Sequence, residues 1–456
     1  MSGVVDRGAA MRVQVKSAAL DSNVSLVSVR DIRFPTSKAW TGAIEGHAPP
    51  DQSLAFITID TSDGQKGFGF APGAFPDNQG LVPALEYLGE RLVGQSVETL
   101  FESLLRFNSK QGTDPLGVPQ SESPLFRRAQ CAITTALWDL FAKSERQPLW
   151  RILCSMEPRQ IVKLANWRHV RDAVDPGQVR ERLEEAASER ASRTGEQQLA
   201  GLPSFISLPG HVAETDGALK TRLQDAIAEG WSAFNIRLPD DLARLYALLD
   251  LVRTEIDDHR SLLLQADGRW TVAKALEVLD NVGSYAPIWL SDATHRDDTL
   301  GFARLARAST GLRIAVGSSA SSVVQIKQLL QAKAAHQLII DPFRLGGINQ
   351  AITALLMADY FGVRCSFSAD YAGQSEVVQH LAIFDRIAIS GASNTPALGF
   401  EDQLHQHFVD PILTKGGRTL LPPSPGCSTA LKSASMSRYA FPKGAAWRPK
   451  SASTGK

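Results

Sequence analysis

The chain has 456 residues, 43% of them hydrophobic and 21% charged, and its 48 Lys+Arg are balanced by 48 Asp+Glu. Length and apolar content suffice for one large core and a smaller one and exclude disorder of the whole chain, while zero net charge provides no basic field for nucleic acid or an anionic membrane. Cys131, Cys154, Cys365 and Cys427 form no C-x-x-C pair, against a zinc site or a disulfide scaffold, and no segment approaches the roughly 20 apolar residues that span a bilayer; the expected protein is cytoplasmic, with a small-molecule ligand.

Residues 1–23 lack periodicity and are expected to be disordered. Residues 24–175 read as strands followed by helices, an α+β domain. Within it GFGFAPG (67–73) superficially resembles a phosphate loop, but it follows the alternation of LAFITIDTSDG (54–64), so a hairpin is expected. AQCAITTALWDLFAKSE (129–145) carries a helical pattern, and residues 176–200, rich in Glu and Arg, read as a solvated helical insertion.

From residue 201 to about 400, short apolar runs alternate with helical patterns. The runs are SFIS (204–207), AFNIRL (233–238), LLLQAD (262–267), PIWLSD (287–292), RIAVGS (313–318), QLIID (337–341), RCSFSAD (364–370) and RIAIS (386–390). Helical patterns between them include LARLYALLDLVRTEI (242–256), TVAKALEVLDNV (271–282), VVQIKQLLQAKA (323–334) and INQAITALLMADYF (348–361). Eight strands with crossover helices predict an α/β fold, a (β/α)7-8 TIM-like barrel with the α+β domain as an N-terminal cap. Residues 401–446 are expected to return to that cap, and 447–456 to form a disordered tail.

Barrel enzymes carry their chemistry at the C-terminal ends of the strands. Those ends here are Asn235 and Arg237, Asp267, Ser291 and Asp292, Ser318, Asp341, Ser368 and Asp370, with Asn394 just past the last run. Ser321 and Ser322 suit the cap of the helix that follows the fifth run. His295 and His336 read as solvated loop residues, and His405 and His407 as packing residues.

The stretches VRDIRFPTSK (29–38), ALWDLFAK (136–143), AEGW (228–231), FRLGGINQAITALLMA (343–358), VQHLAIFD (378–385), HQHFVDP (405–411) and LPPSPG (421–426) resemble the enolase superfamily in its mandelate racemase branch, and within it the L-fuconate dehydratases. That family's reaction removes the proton α to a sugar-acid carboxylate and then expels the β-hydroxyl. It is implied to need a Lys-x-Lys base on the second strand, three carboxylates holding Mg²⁺ on strands three to five, an Asp-His dyad on strands six and seven, and a Glu near the end of the barrel.

By this resemblance Asn235 and Arg237 replace the two lysines, Asp267 keeps the first metal position, Ser291 and Ser318 replace the other two, Asp341 keeps the dyad carboxylate, Ser368 replaces its histidine and Asn394 the Glu. One Asp with two hydroxyls is a poor Mg²⁺ site, and Asp292, adjacent to Ser291 on a strand, should point to the opposite face. No Mg²⁺ cofactor is therefore expected, unless Asp267 and Asp292 retain a weak site. Asp341, Arg237, Asp267 and Asp370 are the candidate catalytic residues; Asp267 and Asp341 have equally simple structural roles, and Arg237 is either an anion anchor or the partner of Asp267.

Asp370 and Tyr371 stand where the L-fuconate dehydratase pattern has two glycines, which reshapes the mouth. Trp40, His47 and Phe75, on the loops KAWTGAIEGHAPPD (38–51) and APGAFPDN (71–78), are candidate substrate contacts by resemblance, together with Tyr371. The resemblance also implies a homo-oligomer. Three functions stay open: a metal-independent enzyme or ligand-binding barrel with a reused polar pocket, which the retained hydroxyls and amides favour; a non-catalytic scaffold or regulatory subunit; and a conventional acid-sugar dehydratase.

Overall fold

Residues 22–38, 51–74, 76–105, 123–208, 215–392, 395–401 and 404–448 are described by the computed structural model. Trp40, His47, Phe75 and Asn394 lie outside them.

Three antiparallel strands, β1 (Val24–Phe34), β2 (Gln52–Thr61) and β3 (Lys66–Ala74), form the cap sheet in that order. β2 and β3 pair along their full length from Gln52↔Ala74 to Asp60↔Lys66, so GFGFAPG is one arm of a hairpin, as the alternation predicts. Its glycines have a packing role. A side chain at Gly67 or Gly69 would collide with the backbone of Ala136 or Ala132, so the bare face of β3 lets the helix Pro124–Ser144 lie directly on the sheet.

Eight parallel strands make the barrel: β4 (Leu202–Leu208), β5 (Ala233–Arg237), β6 (Ser261–Gln265), β7 (Pro287–Ser291), β8 (Arg313–Val316), β9 (Gln337–Ile340), β10 (Arg364–Phe367) and β11 (Leu398–Phe400). Pairing of β11 with β4, from Leu398↔Ser204 to Phe400↔Ile206, closes it. The helices follow the sequence periodicity, among them Leu242–Ile256, Val272–Asn281, Val323–Gln331 and Ile348–Tyr360. Asp241, Thr271 and Ser322 cap the first three, each accepting a bond from a backbone N–H three residues on. Residues 176–200 fold as the helices Pro176–Ala186 and Arg190–Ala200.

One strand is not where the apolar pattern predicts it. RIAIS (386–390) is a π-helical continuation, Asp385–Ile389, of the wholly buried helix Gln374–Phe384, and the eighth strand is Leu398–Phe400 instead. A short apolar run buried on every side has no period that separates helix from strand.

The barrel interior changes character within one pleat repeat. Phe205, Ala233, Leu263, Trp289, Ala315 and Ile339 form an apolar cluster across the axis, and the inward positions two residues further on are Ser207, Asn235, Gln265 and Ser291. The C-terminal segment ties barrel to cap: β12 (Thr414–Lys415) and β13 (Arg418–Thr419) extend the edge at Leu202, Phe408 packs on Phe70, and Phe441 donates its backbone N–H to the carbonyl of Asp31. Among the described residues no helix is long and apolar enough to cross a membrane.

Candidate functional site at the barrel mouth

The C-terminal ends of the strands enclose a cavity of about 360 Å³, counted out to its mouth. Its floor is Phe205, Trp289 and Ile339; its walls are Ser207, Asn235, Gln265, Ser291, Asp292, Ser318, Ser368, Ala369 and Asp370. Asp292 and Asp370 are the only charged residues of this lining, and no Lys, Arg or His contributes to it among the described residues.

A directed hydrogen-bond chain runs along one wall. Arg237 Nε lies 3.4 Å from Asp267 Oδ2, Gln265 Nε2 donates to Asp267 Oδ1 at 2.8 Å, and Asn235 Nδ2 donates to Gln265 Oε1 at 2.9 Å and to Ser207 Oγ at 3.3 Å. A carboxylate beside a guanidinium only accepts. Asp267 therefore fixes the amide of Gln265, which in turn fixes that of Asn235. The consequence is that Asn235 Oδ1, on a residue only 6% exposed, has no partner among the described residues.

Arg237 also lies 3.6 Å from Asp370. Burial pulls its guanidinium toward losing its proton, but Asp267 and Asp370 outweigh that and hold it charged. The Asp370 carboxyl is pushed up by burial and by Asp267, with Arg237 opposing. Arg237, Asp267 and Asp370 thus form one ion cluster, in which Arg237 takes one of the two roles the sequence leaves open to it, the partner of Asp267.

Asp292 reverses an expectation. It follows the last residue of β7 and adopts φ 47°, a left-handed conformation that turns its side chain back into the cavity beside Ser291. The rule of alternate faces applies only while the backbone stays extended. Ser318 donates to Asp292 Oδ2 at 2.6 Å, and no cation lies within ion-pair range of it among the described residues. Burial, reinforced by Asp267 and Asp370 and opposed by the Ser318 hydroxyl and Arg344, pushes the Asp292 carboxyl up to about 7.

Two other positions move. Gln265, not Asp267, is the inward strand-end residue of β6, paired in register with Ser291 on β7; Asp267 lies two residues beyond, exposed and at φ 58°. Asp341 is buried, but outside the cavity lining: Oδ1 accepts from the Phe343 N–H at 2.9 Å, Oδ2 from Gln374 Nε2 at 3.3 Å, and Arg344 lies 3.3 Å away. Burial raises its carboxyl and Arg344 opposes that. Thr395 receives bonds from Arg313 and Arg364, which open β8 and β10, so it lies at the N-terminal end of the barrel. On the eighth strand itself Gly399 faces Phe205, with no side chain.

Tyr371 sits at the junction with the cap, its N–H bonded to Gln374 and the next N–H, of Ala372, to Gln52 of β2. His405 stacks on Phe400 and bonds the buried Glu376, and His407 stacks on Phe34, so both are packing residues, as expected. Sequence reasoning missed Ser207, Gln265, Trp289 and Phe205; counting inward parity back from Ser291 and Asn235 would have found them.

The donors facing the cavity from β6, β7 and the ends beyond β7 and β8 are Gln265, Ser291, Asp292 and Ser318: one amide, two hydroxyls and one carboxylate. Mg²⁺ is held through carboxylates in near-octahedral geometry, so this set does not fit it. Among the described residues no group of three or more His, Cys, Asp or Glu could hold a metal ion.

Residues 32–154 match the model of the mandelate racemase / muconate lactonizing enzyme N-terminal domain, and residues 218–435 that of the enolase C-terminal domain-like family. The chain is 31% identical over 434 residues to mitochondrial enolase superfamily member 1 of Xenopus laevis, covering 94% of this chain and 98% of that one. It is 28% identical over 432 residues to L-galactonate dehydratase of Hypocrea jecorina, covering 92% and 94%. The crystal structure of human mitochondrial enolase superfamily member 1 superposes with a TM-score of 0.86 at 30% identity, covering 94% of this chain and 99% of that one.

Proposed function

The chain belongs to the enolase superfamily, in its mandelate racemase/muconate lactonizing enzyme branch, and from that premise we propose that it is a divergent relative of the acid-sugar dehydratases whose barrel cavity binds a small polar molecule without Mg²⁺-dependent proton abstraction. The observation that carries this reading is Asn235. At the end of the second strand, where the reaction needs a base, stands an amide locked by Gln265 as a neutral donor. Arg237, two residues on, is kept protonated by two carboxylates and cannot accept a proton.

The remaining parts are changed in the same direction. Gln265, Ser291 and Ser318 occupy the inward ends of strands three and four and the turn after the fifth, and Gly399 faces inward on the eighth. Enediolate formation requires a base and an electrophile together, and removal of both leaves no path for it. The cavity nevertheless has a polar wall over an apolar floor, which supports a binding role.

The test is incubation of the purified chain with L-fuconate, L-galactonate, D-mannonate and D-gluconate in excess Mg²⁺, assayed for 2-keto-3-deoxy product. None is expected. Product from any of these acids overturns the reading. A second reading, metal-independent acid-base catalysis, is favoured by one observation: Asp292 is a carboxyl that changes charge near neutral pH while facing the cavity.

A further inference from the structure

The N-terminal face of the barrel, at the opposite end from the mouth, gathers guanidiniums that have no counter-ion. Arg313 is the first residue of β8 and Arg364 the first of β10; β9 lies between them, its Gln337 paired with Ala315 on one side and Arg364 on the other. Both side chains converge on the buried hydroxyl of Thr395, Arg364 Nη1 donating to Oγ1 at 2.8 Å and Arg313 Nη1 at 3.5 Å. Neither makes an ion pair among the described residues, and the other N–H groups of both forks are unengaged there. Arg364 is exposed and Arg313 half-buried, with none of its unengaged nitrogens shut off from solvent.

His336, which precedes β9, adds a third donor. Its Nδ1 accepts the Ile314 N–H at 3.1 Å, so the proton of the neutral ring stands on Nε2, on an exposed residue. Burial and the charge of Arg313 both hold this ring below the usual histidine range and keep it neutral.

Behind this rim stands Arg386, only 2% exposed, whose Nη2 donates to the carbonyl of Thr395 and whose Nε and Nη1 have no partners among the described residues. Arg364 repels both Arg313 and Arg386, and Arg418 repels Arg386 as well. Asp385 offsets Arg386, and no carboxylate offsets Arg313. A purely structural tie to Thr395 uses one N–H of each outer fork and accounts neither for the open donors nor for the missing counter-charge.

We propose that Arg313, His336 and Arg364 form an anion site that takes a phosphate group, free or as the monoester of a small molecule. Two guanidiniums match a dianion in charge, and donors arriving from the starts of three adjacent strands match a tetrahedral oxyanion, whereas a planar carboxylate is satisfied by a single fork. A bound dianion also replaces the repulsion between Arg313 and Arg364 with attraction to a shared partner. With no net positive charge on the chain, the cluster suits one phosphate and not a nucleic-acid backbone. The site is independent of what the mouth cavity binds.

The test is calorimetry on the full chain with inorganic phosphate, glycerol phosphate, acetate and a single-stranded oligonucleotide at fixed ionic strength. Phosphate or glycerol phosphate is expected to bind more tightly than about 1 mM and at least about tenfold more tightly than acetate, and the better of the two identifies the free or the esterified form as the ligand. Arg313→Gln and Arg364→Gln should each weaken that binding about tenfold or more, and Arg364→Lys, which keeps the charge without the fork, should fall between. Thermal unfolding of the unaltered protein gives a reading that no variant's folding can spoil: about 10 mM of the better-binding phosphate should raise the midpoint by about 2 °C or more over chloride at equal ionic strength. No binding of either phosphate up to about 10 mM, acetate matching phosphate, affinity retained when Arg313→Gln and Arg364→Gln are combined, or an oligonucleotide binding where neither phosphate does each overturns the proposal.

Discussion

Asn235 Nδ2 donates to Gln265 Oε1 at 2.9 Å across the ends of the second and third barrel strands. Both side chains are neutral, and they are bonded to each other at the inward ends of adjacent strands. The pair also transmits the influence of Asp267, which fixes both amides although it lies outside the cavity lining.

Placing carboxylates at the inward-facing strand ends should be constructive. Gln265→Asp, Ser291→Glu and Ser318→Glu together place three carboxylates on adjacent strand ends, and this variant is expected to bind Mg²⁺ at least about a hundredfold more tightly than the parent, with three hard oxygen donors replacing one amide and two hydroxyls. Calorimetric titration of both proteins checks this. Tight Mg²⁺ binding by the parent would show that the natural donor set suffices.

Asp292 predicts a pH-dependent stability. Its carboxyl rises from 3.8 to about 7 on folding, so the native state binds the extra proton and the charged form is disfavoured. The cost of that charge is absent below about pH 4, grows through the window to about 7, and is constant above it. Asp292→Asn should therefore be increasingly more stable than the parent across that window, by up to about 4 kcal/mol at neutral pH. Urea unfolding at both ends of the window measures it, and a difference that does not change with pH would contradict the assignment.

Asn349 joins cap to barrel. Its Oδ1 accepts from the Trp138 indole at 2.9 Å, and its Nδ2 donates to the carbonyls of Leu104 at 2.9 Å and Leu164 at 3.0 Å, all fully buried. Asn349→Leu orphans three polar groups and should cost about 3 kcal/mol or more. Loss of less than about 1 kcal/mol in chemical denaturation would mean that these groups find other partners.

Asp341 is predicted to be a structural residue. It caps the short helix Pro342–Leu345 through the Phe343 N–H and lies outside the cavity lining. Asp341→Asn keeps the cap acceptor, and Asp341→Ala should cost about 1–2 kcal/mol. Chemical denaturation of both variants measures it, and a loss below about 0.5 kcal/mol for Asp341→Ala would mean that the cap is not what Asp341 supplies.

The helices and most of the barrel were legible in the sequence because amphipathic period and capping residues are local: Leu242–Ile256 begins and ends where LARLYALLDLVRTEI does, with Asp241 as its cap. The strands were legible as apolar runs, except where RIAIS, buried on every side, gave no period to read.

The sequence by itself determined which residue types stand at the strand ends: amides, hydroxyls and a guanidinium, where the family resemblance implies a base and carboxylates. Only the tertiary structure decided which of the neighbouring residues face the cavity. Inward direction depends on strand register, which exchanged Asp267 for Gln265, and on single backbone dihedrals past the strand ends, which turned Asp292 inward. Tertiary structure also decided where the charges go. A chain with zero net charge leaves its charges to be sorted in space, and folding pairs the guanidiniums near the mouth with carboxylates, Arg237 with Asp267 and Asp370 and Arg344 with Asp341.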